Sequence, residues 1–308
     1  MKRKIIYSIV NIFILLFFIE FFSYNLLVNK YKGFIEQNKQ FEDIFSPKFR
    51  YSKVTVNSHD YRQYYFRPVE YRNKSKSPIL LFGCSFVEGF GLRDNQIFSY
   101  KLADYTDRTV FNFGKCGTGI QFFYSLLSDD SFINFLPKNT EYVIYTFIPD
   151  HLPRLYRYRP FVFEPKYINR YLIKNNKLTE DKLHFLFLHS TFTSAVIEEY
   201  VSNERFKNKE KTEELFLKLF VESDKIIKRK LPKAKFVILC YSNTSRDFPI
   251  KSELELLRKT IPDVTIIDLN DYFPELYNNS EYCISDGFHP NEKAWDLIVP
   301  FISEKLQL

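Results

Sequence analysis

From residue 77 onward, short apolar runs rich in β-branched and aromatic residues alternate with segments of helical composition. This alternation is typical of a parallel sheet whose strands are joined by crossover helices. The pattern predicts strands at residues 79–82, 110–113, 142–147, 236–240 and 264–267. It predicts helices at residues 96–104, 120–128, 209–230, 253–259 and 291–304. The expected fold is α/β with a small, doubly wound, five-stranded sheet, and 308 residues fit one such domain better than two.

The charge pattern excludes some classes of partner. The net charge of +7 is spread through Lys-rich loops rather than gathered on one helix. Neither zinc-ligand spacing nor the signature of a nucleic-acid-binding fold is present. We therefore expect no nucleic acid, metal or cofactor, and an anionic membrane surface or a glycan is the better partner.

The first segment predicts a membrane anchor. Residues 5–28 form an apolar run long enough to cross a bilayer as a helix, which takes about 20 residues. A cleavable signal peptide is less compatible, because the run ends in bulky residues rather than a small-x-small site. Glu20 inside this run either contacts a partner helix in the membrane or lies near enough to the interface to reach water.

Flanking charge predicts the orientation of this anchor. Lys2, Arg3 and Lys4 precede the apolar run and favour a cytoplasmic N-terminus, although Lys30, Lys32 and Lys39 after the run weaken that preference. The expected location is a single-pass protein of the cytoplasmic (inner) membrane, with its main domain on the outer, periplasmic side.

Three regions follow from these patterns. Residues 1–28 are the anchor, residues 29–76 a juxtamembrane linker and extension, and residues 77–308 the main domain. Part of the extension, residues 56–68, is expected to pack on that domain. Residues 154–206 interrupt the alternation and are too long for an ordinary connection, so we expect a lid or a binding element there.

The four cysteines, at positions 84, 116, 240 and 283, form no close C-x-x-C pair. Small buried thiols are the expected state, because free cysteine is often buried. A disulfide between Cys84 and Cys116 stays open as the alternative, since both follow predicted strands.

A serine follows the first strand of the main domain. The run Gly83-Cys84-Ser85-Phe86 places Ser85 at the carboxyl edge of the predicted sheet, where ligands gather in open α/β folds. A serine there can present its hydroxyl to a substrate, with neighbouring backbone N–H groups facing a developing oxyanion. The alternative is that Ser85 only caps the following helix.

An aspartate and a histidine lie three residues apart before the last helix. In Ser285-Asp286-Gly287-Phe288-His289, the imidazole can act as base for Ser85 while the carboxylate orients and stabilises it. A serine hydroxyl needs such a base, because it is a weak nucleophile when protonated. Together with Ser85, this pattern favours a catalytic triad over a structural histidine.

These blocks resemble the SGNH/GDSL-like hydrolase family. The family has a serine in a first G-D-S block and an Asp and His in a terminal D-x-x-H, matched here by Ser85, Asp286 and His289. A second block, N-x-G-x-x-G, is matched by residues 112–117. The resemblance covers roughly residues 77–308 and implies a flavodoxin-like three-layer fold. It also implies that the backbone N–H groups of Gly117 and Ser85 stabilise the oxyanion.

The chain departs from the family in two blocks. Cys84 replaces the Asp of the first block; as an alternative nucleophile it is disfavoured, because the family places the chemistry on the serine. Pro149 stands where the third block, G-x-N-D, has an Asn that donates to the oxyanion. A substitute donor is therefore expected from the same loop, His151 or Arg154, with His151 favoured. The alternative for His151 is a structural role.

The residues and the resemblance together predict a serine esterase or O-acyltransferase. Membrane-tethered relatives commonly act on O-acyl groups of cell-surface carbohydrate, so the resemblance implies O-acetyl groups of an envelope or secreted polysaccharide as substrate. Hydrolysis and transfer share every residue named above. Two alternatives are a glycan-binding or assembly subunit with weak or no activity, and a lipid esterase.

Overall fold

The computed structural model describes residues 12, 14–23, 25, 52–56, 62–67, 70–155, 171–180, 208–241, 250–276 and 279–308. Nine strands lie in this part of the chain: β1 Ser52–Val56, β2 Arg62–Phe66, β3 Ile79–Gly83, β4 Val110–Gly114, β5 Tyr142–Phe147, β6 Tyr171–Lys174, β7 Lys177–Glu180, β8 Lys235–Cys240 and β9 Thr265–Asp268. The α-helices of the main domain are α1 Ser85–Glu88, α2 Phe98–Thr106, α3 Ile120–Ser128, α4 Asp130–Phe135, α5 Lys209–Lys230, α6 Lys251–Thr260 and α7 Glu292–Leu306.

The central sheet has five parallel strands in the order β4-β3-β5-β8-β9. Every pairing between these neighbours is parallel, and in the pairing of β3 with β4 Gly83 lies opposite Gly114. This order is that of flavodoxin-like folds, so the predicted five-stranded sheet is confirmed. The chain changes winding direction between β3 and β5, and ligands bind in the crevice beyond the strand ends at such a point.

Helices cover both faces of the sheet and make three layers. Alternate residues of β3 point to opposite faces, with Phe82 in one apolar cluster and Leu81 in the other. Residues of α3 to α6 contribute to the first cluster, and residues of α1, α2 and α7 to the second. Because both faces are covered, the strands are almost wholly apolar rather than alternating in polarity.

The abundant aromatic residues fill these two layers. In the first, the Phe82 ring lies 4.9 Å from the Phe123 ring and 5.1 Å from the Phe113 ring, centroid to centroid. In the second, Phe98 of α2 stacks on Trp295 of α7 at 4.7 Å. Such pairs add about 0.5–1.5 kcal/mol each beyond the area they bury, so they help fix both helical layers to the sheet.

The extension before the main domain packs on it, as expected. Strands β1 and β2 form an antiparallel hairpin, and Phe66 at the end of β2 packs edge-on against Phe113 at 5.2 Å. Arg67 is buried and donates to the backbone oxygens of Glu88, Gly89 and Leu92 and to the Asp94 carboxylate. The extension is therefore tied to the turn that follows α1.

Arg67→Ala is expected to lower the free energy of unfolding by about 2–4 kcal/mol, because it removes three buried hydrogen bonds to backbone carbonyls and the ion pair with Asp94. Arg67→Lys should recover little, since an ammonium group cannot span acceptors that the guanidinium reaches together. Urea unfolding followed by circular dichroism measures the change. Arg229→Ala, on an exposed face of α5, is the control, with an expected change of under about 0.5 kcal/mol. A loss for Arg67→Ala no larger than that of the control would contradict this account.

The predicted anchor at residues 5–28 lies partly outside the described residues. Those described within it, 12, 14–23 and 25, are helical. In the described part of the chain, no helix combines the length and the apolar character needed to cross a membrane.

Most of the predicted insertion, residues 156–170 and 181–206, also lies outside the described residues. Between these stretches, β6 and β7 form an antiparallel hairpin. Its first residue, Tyr171, is joined to the main domain by its N–H, which donates to the Gln121 side chain of α3 at 2.8 Å. This hairpin was not predicted from the sequence.

Candidate active site

Ser85 begins α1, and one residue, Cys84, separates it from the end of β3. Cys84 is the residue that precedes the first turn, and no side chain caps it, so Ser85 is not the helix cap of the alternative interpretation. The N–H groups of Gly89 and Phe90 both donate to the Ser85 carbonyl, which closes the short helix into a tight turn. Ser85 is almost fully buried, and its hydroxyl faces the terminal loop rather than its own helix.

The terminal loop is a compact turn before α7. The His289 carbonyl accepts from the Ile284 N–H at 2.9 Å, and Asn291 caps α7 through the Ala294 N–H. Asp286 Oδ1 accepts from the backbone N–H groups of Phe288 and His289, at 2.8 and 3.0 Å. These bonds bring the Asp286 carboxylate and the His289 ring to the same side of the turn.

The structure brings the three predicted catalytic residues together. His289 Nε2 lies 2.7 Å from Ser85 Oγ, and His289 Nδ1 lies 2.5 Å from Asp286 Oδ2. The two ring nitrogens therefore have separate partners, as general-base catalysis by a serine triad requires. Rings of Phe86 and Phe90 flank the imidazole at 5.3 and 4.8 Å, which limits the access of water to these hydrogen bonds.

The environment of Asp286 favours its ionised form. Burial by itself would raise the pKa of this carboxyl, but the hydrogen bonds and electrostatic attraction of His289, with the backbone N–H of Phe288, outweigh burial and lower the pKa. An ionised Asp286 can hold the proton on His289 Nδ1 and leave Nε2 free to accept a proton from Ser85.

The lowered pKa of Asp286 predicts a stability effect with a definite sign. Because the folded-state pKa lies below the usual 3.8, the carboxylate stabilises the fold above about pH 4. This contribution is lost as the pH falls through the lowered pKa. The stability of wild type relative to Asp286→Asn should therefore fall as the pH is lowered below about 4. Urea unfolding from pH 3 to 5 measures this change, and a relative stability of wild type that rises as the pH falls below about 4 would contradict the assignment.

The second block forms the loop beside Ser85. Asn112 donates to the Val87 carbonyl at 2.7 Å and to Ser99 Oγ at 3.0 Å, so β4 is fixed to α1. At Gly114 a Cβ would lie 2.3 Å from the Glu88 nitrogen, so only glycine allows this approach. Gly117 has φ 76°, a conformation that suits glycine. Glycine is thus required at position 114 by the close approach of α1, and it is favoured at position 117 by the backbone conformation.

In the third block, His151 packs against β5. His151 is fully buried, its Nδ1 lies 2.8 Å from the Tyr145 hydroxyl, and its ring packs 5.7 Å from that of Phe147. Burial, followed by the charge of Arg154, lowers the pKa of His151 well below its usual value, so the ring is neutral. No hydrogen bond joins His151 to Ser85. The packing accords with the structural alternative, and the predicted role as oxyanion donor stays a prediction.

Two charged side chains meet the Gly117 loop. Arg154 Nη1 donates to the Thr118 carbonyl at 2.7 Å, and the buried Glu88 accepts from the Cys116 N–H at 2.6 Å. Arg154 was one of two expected substitutes from the third block, but Glu88 was not predicted. Its signal in the sequence is its spacing, because residues three apart on a helix share a face and Glu88 lies three after Ser85.

The cysteines are free thiols, so the alternative disulfide between Cys84 and Cys116 is not formed. Cys84, Cys240 and Cys283 are buried as expected, whereas Cys116 is partly exposed. Within the described ranges, no group of three or more His, Cys, Asp or Glu side chains is placed to hold a metal ion.

Comparisons with known proteins give matches among solved structures. No family model and no curated protein matches the chain. A GDSL-like lipase from Bacteroides ovatus aligns at 14% identity and TM-score 0.41, over 75% of this chain and 54% of its own. The acetyl xylan esterase Est2A from Butyrivibrio proteoclasticus aligns at 10% identity and TM-score 0.43, over 80% of this chain and 67% of its own. A lipase/acylhydrolase from Enterococcus faecalis aligns at 12% identity and TM-score 0.41, over 75% of this chain and 95% of its own.

This chain spans only about half the length of the Bacteroides protein, whereas it spans nearly all of the Enterococcus protein. These three solved structures are described as a GDSL-like lipase, an acetyl xylan esterase and a lipase/acylhydrolase.

Proposed function

We propose that this chain is a serine esterase or O-acyltransferase that acts on O-acyl groups, with Ser85 as nucleophile, His289 as general acid and base, and Asp286 orienting the imidazole. The observation that carries the proposal is the pair of hydrogen bonds on His289, 2.7 Å to Ser85 Oγ and 2.5 Å to Asp286 Oδ2. A histidine held only for structure has no need of a serine hydroxyl on one nitrogen and a carboxylate on the other.

The proposed reaction has two half-reactions. Ser85 Oγ attacks the ester carbonyl carbon while its proton passes to His289 Nε2, and the carbonyl oxygen becomes an oxyanion facing the N–H groups of Ser85 and Gly117. The bond to the alkoxy oxygen then breaks, and that oxygen takes the proton from His289. In the second half, water or a sugar hydroxyl gives its proton to His289 and attacks the acyl-Ser85 ester, and Ser85 Oγ leaves and takes that proton back.

The proposed substrate is an O-acetylated carbohydrate of the cell envelope or a secreted polysaccharide. This part rests on the resemblance in the sequence and on the apolar residues 5–28, which we propose anchor the chain in the cytoplasmic membrane with the main domain outside. Glu20 is the residue within that segment proposed to contact a membrane partner. A lipid esterase would differ in its preference for long acyl chains.

One observation favours a second candidate function. Pro149, which begins the short helix after β5, is buried and has no N–H or side-chain donor where the family has its Asn. One oxyanion-hole donor is worth about 3 kcal/mol in the transition state. A chain that lacks this donor without a substitute would serve as a glycan-binding or assembly subunit with little turnover.

Hydrolysis of a matched set of esters tests the proposal. Purified protein is assayed with aryl acetate, aryl octanoate and an acetylated oligosaccharide, with release of acetate or phenol measured. We expect turnover of both acetyl substrates, a preference for acetyl over octanoyl, and no turnover by Ser85→Ala. A preference for octanoyl would favour the lipid esterase. Binding of the oligosaccharide without any turnover would favour the binding subunit.

A further inference from the structure

The loop that carries Gly117 is held by a charged side chain on each side. Before Gly117, the Cys116 N–H donates to Glu88 Oε2 at 2.6 Å. After Gly117, the Thr118 carbonyl accepts from Arg154 Nη1 at 2.7 Å. Both bonds are charge-assisted, and such bonds are shorter and stronger than neutral ones.

Neither charged group is free to relax into water. Glu88 is 5% exposed, and its second carboxylate oxygen lies 3.4 Å from Lys115 Nζ. The Arg154 side chain is 12% exposed, and its Nη2 lies 3.7 Å from the Asp150 carboxylate. Charges buried to this extent persist only when they are paired and hydrogen-bonded, so these contacts have a defined geometry.

Both side chains originate beside the proposed reaction centre. Glu88 ends the four-residue helix that begins with Ser85, and Arg154 extends from the loop whose Asn is replaced by Pro149. The surroundings of Arg154 agree with this position: burial opposes its charge, but Cys84, Asp150 and Cys116 outweigh burial and raise its pKa. Cys84 precedes Ser85, and Cys116 precedes Gly117.

We propose that Glu88 and Arg154 are positioning residues that hold the Gly117 backbone from both sides, so that its N–H faces the oxyanion without the Asn of the third block. The inference rests on the proposed function for its catalytic meaning. The physical requirement is strict, because a donor displaced by about 1 Å can cost about 10²-fold in rate. Gly117 itself has no side chain that could fix its conformation, so its neighbours must do so.

Steady-state kinetics on aryl acetate test the catalytic part. Arg154→Gly and Glu88→Leu each remove the charged side chain on one side of the loop. Both are expected to lower kcat about 10²-fold while KM changes less than about threefold, because an oxyanion donor acts mainly in the transition state. Glu88→Gln retains an acceptor oxygen for the Cys116 N–H and should recover most of the activity. Guanidinium ion, at concentrations too low to unfold the protein, should restore part of the activity of Arg154→Gly.

Arg108→Gly is the matched control for Arg154→Gly. Arg108 is also largely buried and paired with a carboxylate, that of Glu141, but it lies before the first residue of β4, at the opposite edge of the sheet from Ser85. It should leave kcat unchanged, and guanidinium should not affect its activity. An equal fall in activity in both arginine variants would overturn the proposal. So would a loss in Arg154→Gly that guanidinium does not reverse, or a Glu88→Gln variant that is as inactive as Glu88→Leu.

Hydrogen exchange tests the positioning part without any need for turnover. Peptides that contain residues 115–118 are followed by mass spectrometry in wild type, Arg154→Gly, Glu88→Leu and Glu88→Gln. The Cys116 amide should exchange at least about tenfold faster in Glu88→Leu than in Glu88→Gln, while amides of β5 keep their protection. If wild type proved inactive but Glu88→Leu still exchanged faster, Glu88 would be shown to hold the loop and the esterase activity would be rejected. Unchanged exchange would reject the proposed positioning of the Gly117 backbone, whatever the activity.

Discussion

Ser85→Ala is expected to lower kcat on aryl acetate by about 10⁴-fold or more, because no other group can form the acyl intermediate with His289 as its base. The fold should be retained, since the change removes one oxygen whose described hydrogen bond is to His289. Initial rates and circular dichroism spectra of both proteins measure the two effects.

Ser128→Ala, at the end of α3, is the control serine substitution. Its hydroxyl is exposed and its described hydrogen bond is to the Tyr124 carbonyl of its own helix, so the rate should stay within about twofold of wild type. Activity of Ser85→Ala within tenfold of wild type would show that Ser85 is not the nucleophile.

Asp286→Asn is expected to lower kcat by about 10³- to 10⁴-fold, for a reason that the geometry at His289 Nδ1 makes clear. The 2.5 Å contact with Asp286 Oδ2 holds a proton on Nδ1. An amide NH2 in that place would donate to Nδ1, move the proton to Nε2, and leave no base facing Ser85. Steady-state rates measure the loss.

The matched control is Asp263→Asn, in which an exposed carboxylate whose described ion pair is with Lys228 is neutralised in the same way. It should change kcat less than about twofold. If Asp286→Asn retained more than a tenth of the wild-type rate, the proposed role of Asp286 in orienting the imidazole would be wrong.

The sheet was predictable because its strands are short apolar runs with polar breaks, and parallel strands buried on both faces must have that composition. The helices Ile120–Ser128 and Lys209–Lys230 were predicted with their observed bounds. The helix expected at residues 96–104 lies instead at Phe98–Thr106, because Asp94–Gln96 forms a separate 3₁₀ turn before it. The β1/β2 and β6/β7 hairpins were not predicted, since runs of only four or five residues give little signal.

The proximity of Ser85 and His289 was predictable, because the carboxyl edge of β3 and a loop before the last helix are common places for such residues. The contacts of Arg67 and Arg154 were not. Each arginine donates to backbone carbonyl groups that are distant in sequence. Every residue has a carbonyl group, so the sequence does not show which of them accepts. The same holds for His151, whose burial against Tyr145 depends on how the third block folds.

A fluorophosphonate probe followed by peptide mapping tests the central claim most directly, because the probe phosphonylates a serine only where a base has activated it. We expect one adduct per chain, on Ser85, formed by wild type and Cys84→Ala and lost in Ser85→Ala and His289→Ala. An adduct on another residue, or a folded wild-type protein that remains unlabelled while a known serine esterase reacts under the same conditions, would contradict the assignment of Ser85, His289 and Asp286 as a catalytic triad.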